Sequence, residues 1–222
     1  MAEIQVMKNI LGENDRVAAE NQALFAEKNV YVINLMGSPG AGKTSVLEKT
    51  MEKLKDKLKM AVIEGDLFTS KDADRTEKHG VPVIQINTAG GCHLDAPMVQ
   101  KVAQKLDLLD LDLLVVENVG NLVCPAEFAV GEDDKGVVLS ITEGDDKPMK
   151  YPLIFKESAI ALLNKADLLP YCNFDMAAAK EDITTLHPGM DVIEVSCTKD
   201  QGLDAWCDWL LGRVAAKQKK GN

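Results

Sequence analysis

A largely apolar run, Val30-Tyr31-Val32-Ile33-Asn34-Leu35, leads into Gly37-Ser38-Pro39-Gly40-Ala41-Gly42-Lys43-Thr44, and a helical pattern opens immediately after it. Strand, glycine-rich turn and helix in that order match a Walker A phosphate loop, which ties the chain to one kind of α/β sheet and to a nucleoside triphosphate. The glycines let the backbone curl so that N–H groups along Gly37, Ser38, Gly40, Ala41 and Gly42 face phosphates. Lys43 then reaches the β and γ phosphates, Thr44 offers its hydroxyl to Mg²⁺, and Ser45 completes the candidate set. A chance glycine-rich turn would lack the flanking strand and helix.

With 222 residues and 46% hydrophobic content, the chain has enough apolar material for one substantial core. Its formal charge of -10 argues against a nucleic-acid partner, because such binding rests on Lys and Arg neutralising phosphates. No apolar stretch is long enough to span a bilayer, and the sequence opens without a basic segment followed by an apolar one. A cytoplasmic protein with no membrane insertion is expected. The five cysteines are scattered and odd in number, unlike a secreted disulfide framework, so each needs its own explanation.

Periodicity divides the chain into an amino-terminal helical arm at 1–29, a P-loop domain at 30–214 and a frayed polar tail at 215–222. Ile4, Ile10, Leu11, Val17, Leu24 and Phe25 give the arm an irregular amphipathic pattern. Val46, Leu47, Met51, Leu54 and Leu58 mark a helix over 44–59, and Met60-Ala61-Val62-Ile63 a strand. Further strands are predicted near 82–86, 112–116, 137–142, 158–163 and 191–195, with helices over 95–106, 175–186 and 203–214. Such alternation produces a mostly parallel central sheet with helices on both faces. The acidic turns Glu132-Asp133-Asp134 and Glu143-Gly144-Asp145-Asp146 are expected to be solvated loops.

The base is suggested by Asn164-Lys165-Ala166-Asp167 at a strand end, which resembles the NKxD element of GTPases. A carboxylate at Asp167 can accept from guanine N1–H and its exocyclic amine together, a donor pair that adenine lacks. Ser196-Cys197-Thr198-Lys199 resembles the second guanine-contacting loop, with Cys197 a small loop residue. Glu117-Asn118-Val119-Gly120 stands where most GTPases have Asp-x-x-Gly, so Glu117 is expected to hold Mg²⁺ through water while the Gly120 N–H meets the γ-phosphate. Asp66 is a candidate for Mg²⁺ or for positioning water, with Asp72 and Asp74 competing for the task and Asp72 equally able to cap a helix. Lys43, Asp66, Glu117 and Gly120 form the expected catalytic set. Asn121 occupies the place of the usual water-orienting glutamine, so slow intrinsic turnover is expected.

A second chemistry is suggested by Gly90-Gly91-Cys92-His93-Leu94-Asp95 together with Cys124, just beyond Gly120. Thiolate and neutral imidazole suit Ni²⁺ and Zn²⁺ alike, and no fourth ligand is obvious. On residue types alone, an inert thiol beside an unrelated loop histidine remains open. Cys172 and Cys207 read as packing residues, and His79 and His187 have no ligand neighbours in sequence.

Taken together, these motifs resemble the HypB family of GTPases, which assist nickel insertion during maturation of [NiFe]-hydrogenase. The resemblance covers nearly everything from residue 30 onward, through the phosphate loop, Glu64-Gly65-Asp66, Gly91-Cys92-His93-Leu94, Glu117 to Pro125 and Asn164 to Asp167. It implies a SIMIBI-class G domain that binds GTP or GDP with Mg²⁺, and a subunit-interface site for Ni²⁺ or Zn²⁺ on Cys92, His93 and Cys124. It further implies a GTP-promoted homodimer, a HypA-like nickel metallochaperone as partner, and the [NiFe]-hydrogenase large subunit precursor as client. Residues 1–29 contain neither cysteine nor histidine, so the amino-terminal nickel store of some members is not expected here. The related urease-maturation GTPase is an alternative, but it is expected to carry Cys-Pro-His where this chain reads Cys92-His93-Leu94. A regulatory GTP switch with structural cysteines is a second alternative, and a metabolic P-loop kinase a third, disfavoured by the guanine element.

Overall fold

The computed structural model describes residues 3–66 and 80–221. Seven strands form one sheet in the order β3-β2-β4-β1-β5-β6-β7, every pair parallel. They are β1 (Tyr31–Gly37), β2 (Met60–Asp66), β3 (Val83–Asn87), β4 (Leu113–Glu117), β5 (Asp134–Ser140), β6 (Ile160–Asn164) and β7 (Asp191–Val195). Order reverses at β1, between β4 and β5, which opens a crevice at the carboxyl ends of the strands where such sheets bind ligands.

Strand alternation assigns the core to two faces. Tyr31, Ile33 and Leu35 of β1 point to one side with Val62, Val115 and Leu162, and are covered by α2 (Lys43–Leu54) and α8 (Leu203–Gly221). Val32, Ile63, Leu114 and Val116 point to the other side, against Phe25 of α1 (Glu3–Glu27) and Val99, Val102 and Ala103 of α3 (Ala96–Ala103). Beyond β1, Val137, Leu139, Ala161 and Leu163 pack against Ile154 and Phe155 of α6 (Pro152–Glu157) and Ala179 and Ile183 of α7 (Met176–Leu186). Short α4 (Cys124–Glu127) and α5 (Lys147–Lys150) complete the helices among the described residues. Burial on both faces explains why β4 and β6 read as continuous apolar runs.

The arm belongs to the domain. Asn14 donates to Ala129 O and accepts from Ala96 N, both at 2.9 Å, while Asn21 donates to Ala96 O and Val130 O, also at 2.9 Å. Two expectations need correction. Residues 215–221 of the expected frayed tail continue α8, where Lys217 pairs with Asp133 at 2.5 Å and Gln218 donates to Asp112 at 2.7 Å. The first acidic turn is not a solvated loop. Glu132 is buried and accepts from Val130 N at 2.6 Å, Asp133 accepts from Val32 N at 2.9 Å, and Asp134 already begins β5, accepting from Tyr31 OH at 2.8 Å. The second turn is partly tied as well, with Glu143 capping Ser140 N at 3.0 Å. No helix among the described residues is long and apolar enough to cross a membrane.

Candidate functional site

The phosphate loop leaves β1 and enters α2 through Gly42, whose φ of 97° lies in the left-handed region. A Cβ there would also stand 2.3 Å from Asn164 Nδ2, so both conformation and space require glycine. Lys43 Nζ reaches back across the loop to Gly37 O at 3.2 Å and Ser38 O at 3.3 Å, which puts the ammonium on the floor of the cradle. A cavity of about 230 Å³ opens there, lined by Pro39, Gly40, Lys43, Thr44, Glu64, Gly65 and the 117–120 loop. Thr44 Oγ1 donates to Glu117 Oε1 at 2.7 Å, joining hydroxyl and carboxylate at the cavity wall. These hard oxygens fit Mg²⁺, which takes few protein ligands and completes its shell from phosphates and water. Gly120 lies against the loop so closely that a Cβ would meet Pro39 Cα at 2.8 Å. Asp66 ends β2, but its side chain, with Asp72, Asp74 and His79, lies outside the described residues.

On the opposite flank of the α2 start, a second cavity of about 320 Å³ is lined by Gly42, Ser45, Asn164, Lys165, Asp167, Leu168, Cys197 and Thr198. Asn164 donates to Ala41 O at 2.9 Å, and Lys165 Nζ donates to Gly40 O at 2.7 Å, so the base-side element is bolted to the phosphate loop. Ser196 Oγ donates to Asp167 Oδ1 at 2.5 Å, orienting the carboxylate on the cavity wall. Ser196 in turn accepts from Lys199 N at 3.1 Å, closing the second loop. Burial pushes the Cys197 thiol up to about 11, so it is a protonated packing group rather than a thiolate.

The third feature lies at the carboxyl ends of β3 and β4. Cys92 Sγ is 3.1 Å from Cys124 Sγ and 3.5 Å from His93 Nδ1, and one ligand atom from each residue falls within 4.8 Å of the others. Among the described residues this is the one such trio, and Cys92 is exposed, not a buried inert thiol. The His93 ring stacks on Phe128 with centroids 4.0 Å apart. Burial pushes the His93 pKa below its ordinary value, outweighing Asp95 and Glu127, so the imidazole is neutral and ready to ligate near pH 7. Cys124 is pushed up, first by its hydrogen bond with Cys92 and then by burial, so a metal would have to displace its proton.

Residues 31–194 match the family model described as CobW/HypB/UreG, nucleotide-binding domain. The hydrogenase maturation factor HypB of Escherichia coli K12 is 48% identical over 210 residues, spanning 95% of this chain and 72% of that protein. A crystal structure of HypB from Helicobacter pylori in complex with nickel superposes with a TM-score of 0.87 at 39% identity, covering 92% of this chain and 96% of that one. HypB from Archaeoglobus fulgidus gives a TM-score of 0.86 at 35% identity, covering 91% and 99%. The chain belongs to the CobW/HypB/UreG family, on its HypB branch.

In this HypB-branch chain the described motif residues line the two cavities and form the thiol–imidazole trio, and several residues beside them carry little sequence signal. Glu64 lines the phosphate cavity, buried, and sits in register with Glu117 across β2 and β4. Strand alternation from Glu117 could have found it. Asn118 and Asn34 are fully enclosed amides that donate and accept between elements, and Phe128 orients His93; none of these is distinguishable in sequence from an ordinary loop or strand residue.

Proposed function

We propose that this chain is a GTP-hydrolysing metallochaperone that assists nickel insertion into the [NiFe]-hydrogenase large subunit and couples its nucleotide state to dimerisation and to Ni²⁺ or Zn²⁺ binding. One observation carries the coupling. Asn121 pairs by its backbone with Gly37 O at 3.0 Å, inside the phosphate loop, and by its side chain donates to Cys92 O at 3.2 Å. A loop that responds to the γ-phosphate therefore holds a metal-site residue directly and ends at Cys124. Hydrogenase maturation and nickel binding, the roles those relatives are named for, support the same reading.

In this mechanism Asp167 selects guanine, and the phosphate loop N–H groups with Lys43 hold the β and γ phosphates. Thr44 and Glu117 would hold Mg²⁺, which neutralises charge on the transferring phosphoryl group. The Gly120 N–H reads whether a γ-phosphate is present. Water attacks without a positioned glutamine, so turnover is slow and the GTP state persists long enough to act as a signal. Cargo metal is held by Cys92, His93 and Cys124, with remaining ligands from a second protomer. A HypA-like metallochaperone receives or supplies the ion, and the whole exchange is cytoplasmic.

The test is Ni²⁺ and Zn²⁺ affinity by chelator competition on metal-free protein loaded with GDP or a non-hydrolysable GTP analogue, with mass measured in parallel. A nucleotide-dependent shift in affinity and mass that vanishes in Cys92→Ala is expected. Tight GTP binding with no specific metal would instead leave a regulatory switch.

A further inference from the structure

Glu117 ends β4 and Asn118 follows it, and the two side chains serve opposite partners. Glu117 takes the Thr44 hydroxyl on the phosphate side. Asn118 Oδ1 accepts from Leu94 N at 2.9 Å and from Val119 N at 2.9 Å, all in buried surroundings. Its amide donates to Asn34 Oδ1 at 3.1 Å, and Asn34 reaches Glu132 Oε1 at 3.4 Å, which also faces Lys135 at 3.7 Å. The carboxamide thus has no freedom to rotate away without stranding several buried polar groups.

Leu94 immediately follows His93, and its side chain is wholly buried. It packs over Gly65, where a Cβ would lie 2.7 Å from Leu94 Cγ. The metal loop is therefore fixed from behind at one residue, by a backbone hydrogen bond to Asn118 and by a seat on β2. A second tether, Asn121 to Cys92 O, lies at the exposed front of the loop and acts in parallel with it.

We infer that Asn118 is a positioning residue that transmits nucleotide state to the metal trio: displacement of the 117–120 backbone is carried through its carboxamide to Leu94 N and so to His93. This rests on the reading of the chain as a metal-handling GTPase. Coupling between sites needs an element that both bias, and a strand end with one side chain in each site supplies it. The proposed ligands do not change; what Asn118 sets is how far their geometry depends on GTP.

The readout is the ratio of Ni²⁺ affinities in protein loaded with a GTP analogue and with GDP, alongside guanine-nucleotide affinity. Coupled sites ordinarily give ratios of about 5 to 150. In Asn118→Ala, read at saturating nucleotide, the ratio is expected to fall by about threefold or more. Asn118→Asp keeps the oxygen that accepts from Leu94 N but loses the donor to Asn34 Oδ1, so the ratio is expected to fall less than in Asn118→Ala. A merely structural role would weaken Ni²⁺ binding equally in both states and leave the ratio intact. If Asn118→Ala does not fold, Gly65→Ala, which displaces Leu94 from the β2 side, is expected to lower the ratio in the same way. A wild-type ratio retained in these variants overturns the inference and leaves the function standing. A wild-type ratio of one overturns the function itself.

Discussion

The base side and the metal side of this molecule are built on opposite plans. On the base side, Asn164 and Lys165 are hydrogen-bonded into the phosphate loop, and Asp167 is gripped by the buried Ser196. On the metal side, the loops are fastened from behind, at Leu94 and Asn118, while Cys92 faces solvent beside the half-exposed Val123. A preorganised wall discriminates between bases without rearrangement; ligand atoms left at the surface can be completed by another chain and released again. On the proposed function, recognition would be rigid and cargo handling adjustable.

The largest expected effect follows from the rigid side. In Asp167→Asn the carboxylate can no longer accept two guanine donors, and GTP affinity should fall by on the order of 10³-fold. The new amide can donate to an oxygen at the same ring position, so xanthosine triphosphate should gain. Equal loss for both nucleotides, measured by competition binding, would mean that Asp167 supports the loop rather than reading the base.

The adjustable side gives the next. Cys92→Ala should cost Ni²⁺ affinity by about 10²-fold or more, above the range for losing an outer partner of a ligand. GTP affinity should change by less than about twofold, because the trio does not line either nucleotide cavity. A comparable loss of GTP binding would show that the two sides are not separable.

Acid should then distinguish the two kinds of metal ligand. Cys124 is held above its ordinary value, so Ni²⁺ must displace its proton, and affinity should rise with pH with proton release on binding. His93 is held below 6.5, so the unfolded chain takes up a proton first as pH falls. More protons on the unfolded state means stability rises with pH in that window, and the metal-free protein should lose stability as pH falls through 6.5. The Tm of His93→Gln should lose that part of the pH dependence; an unchanged profile would place the titration elsewhere.

Where these features were legible in sequence follows from their physics. β1, β4 and β6 are buried on both faces, so their apolar runs announce them, and the glycine and Asn-Lys-Ala-Asp spacing places the nucleotide cavities. Charged residues misled. Glu132 and Asp133 look like a solvated turn, and become a buried and a half-buried acceptor only because Val32 N, Lys135 and the far end of α8 arrive from elsewhere in the chain. The same meeting keeps α8 helical past residue 214. Asn14, Asn21, Asn34 and Asn118 carry the arm and the metal loop into the domain, and single amides have no periodicity from which burial could be inferred.

The smallest effect is the sharpest control, because it sets one thiol against another. Cys197 lines the base cavity, and its proton is retained by burial up to about 11, so at neutral pH it offers neither a thiolate nor a ligand set. Its polar approach to Asn164 Oδ1, at 3.9 Å, is long even for sulfur. Cys197→Ala should therefore leave Ni²⁺ affinity unchanged and alter GTP affinity by less than about threefold, the cost of one small packing group. Metal affinity that falls with this substitution would mean the base side also handles cargo, and the division between a rigid reader and an adjustable carrier would have to be abandoned.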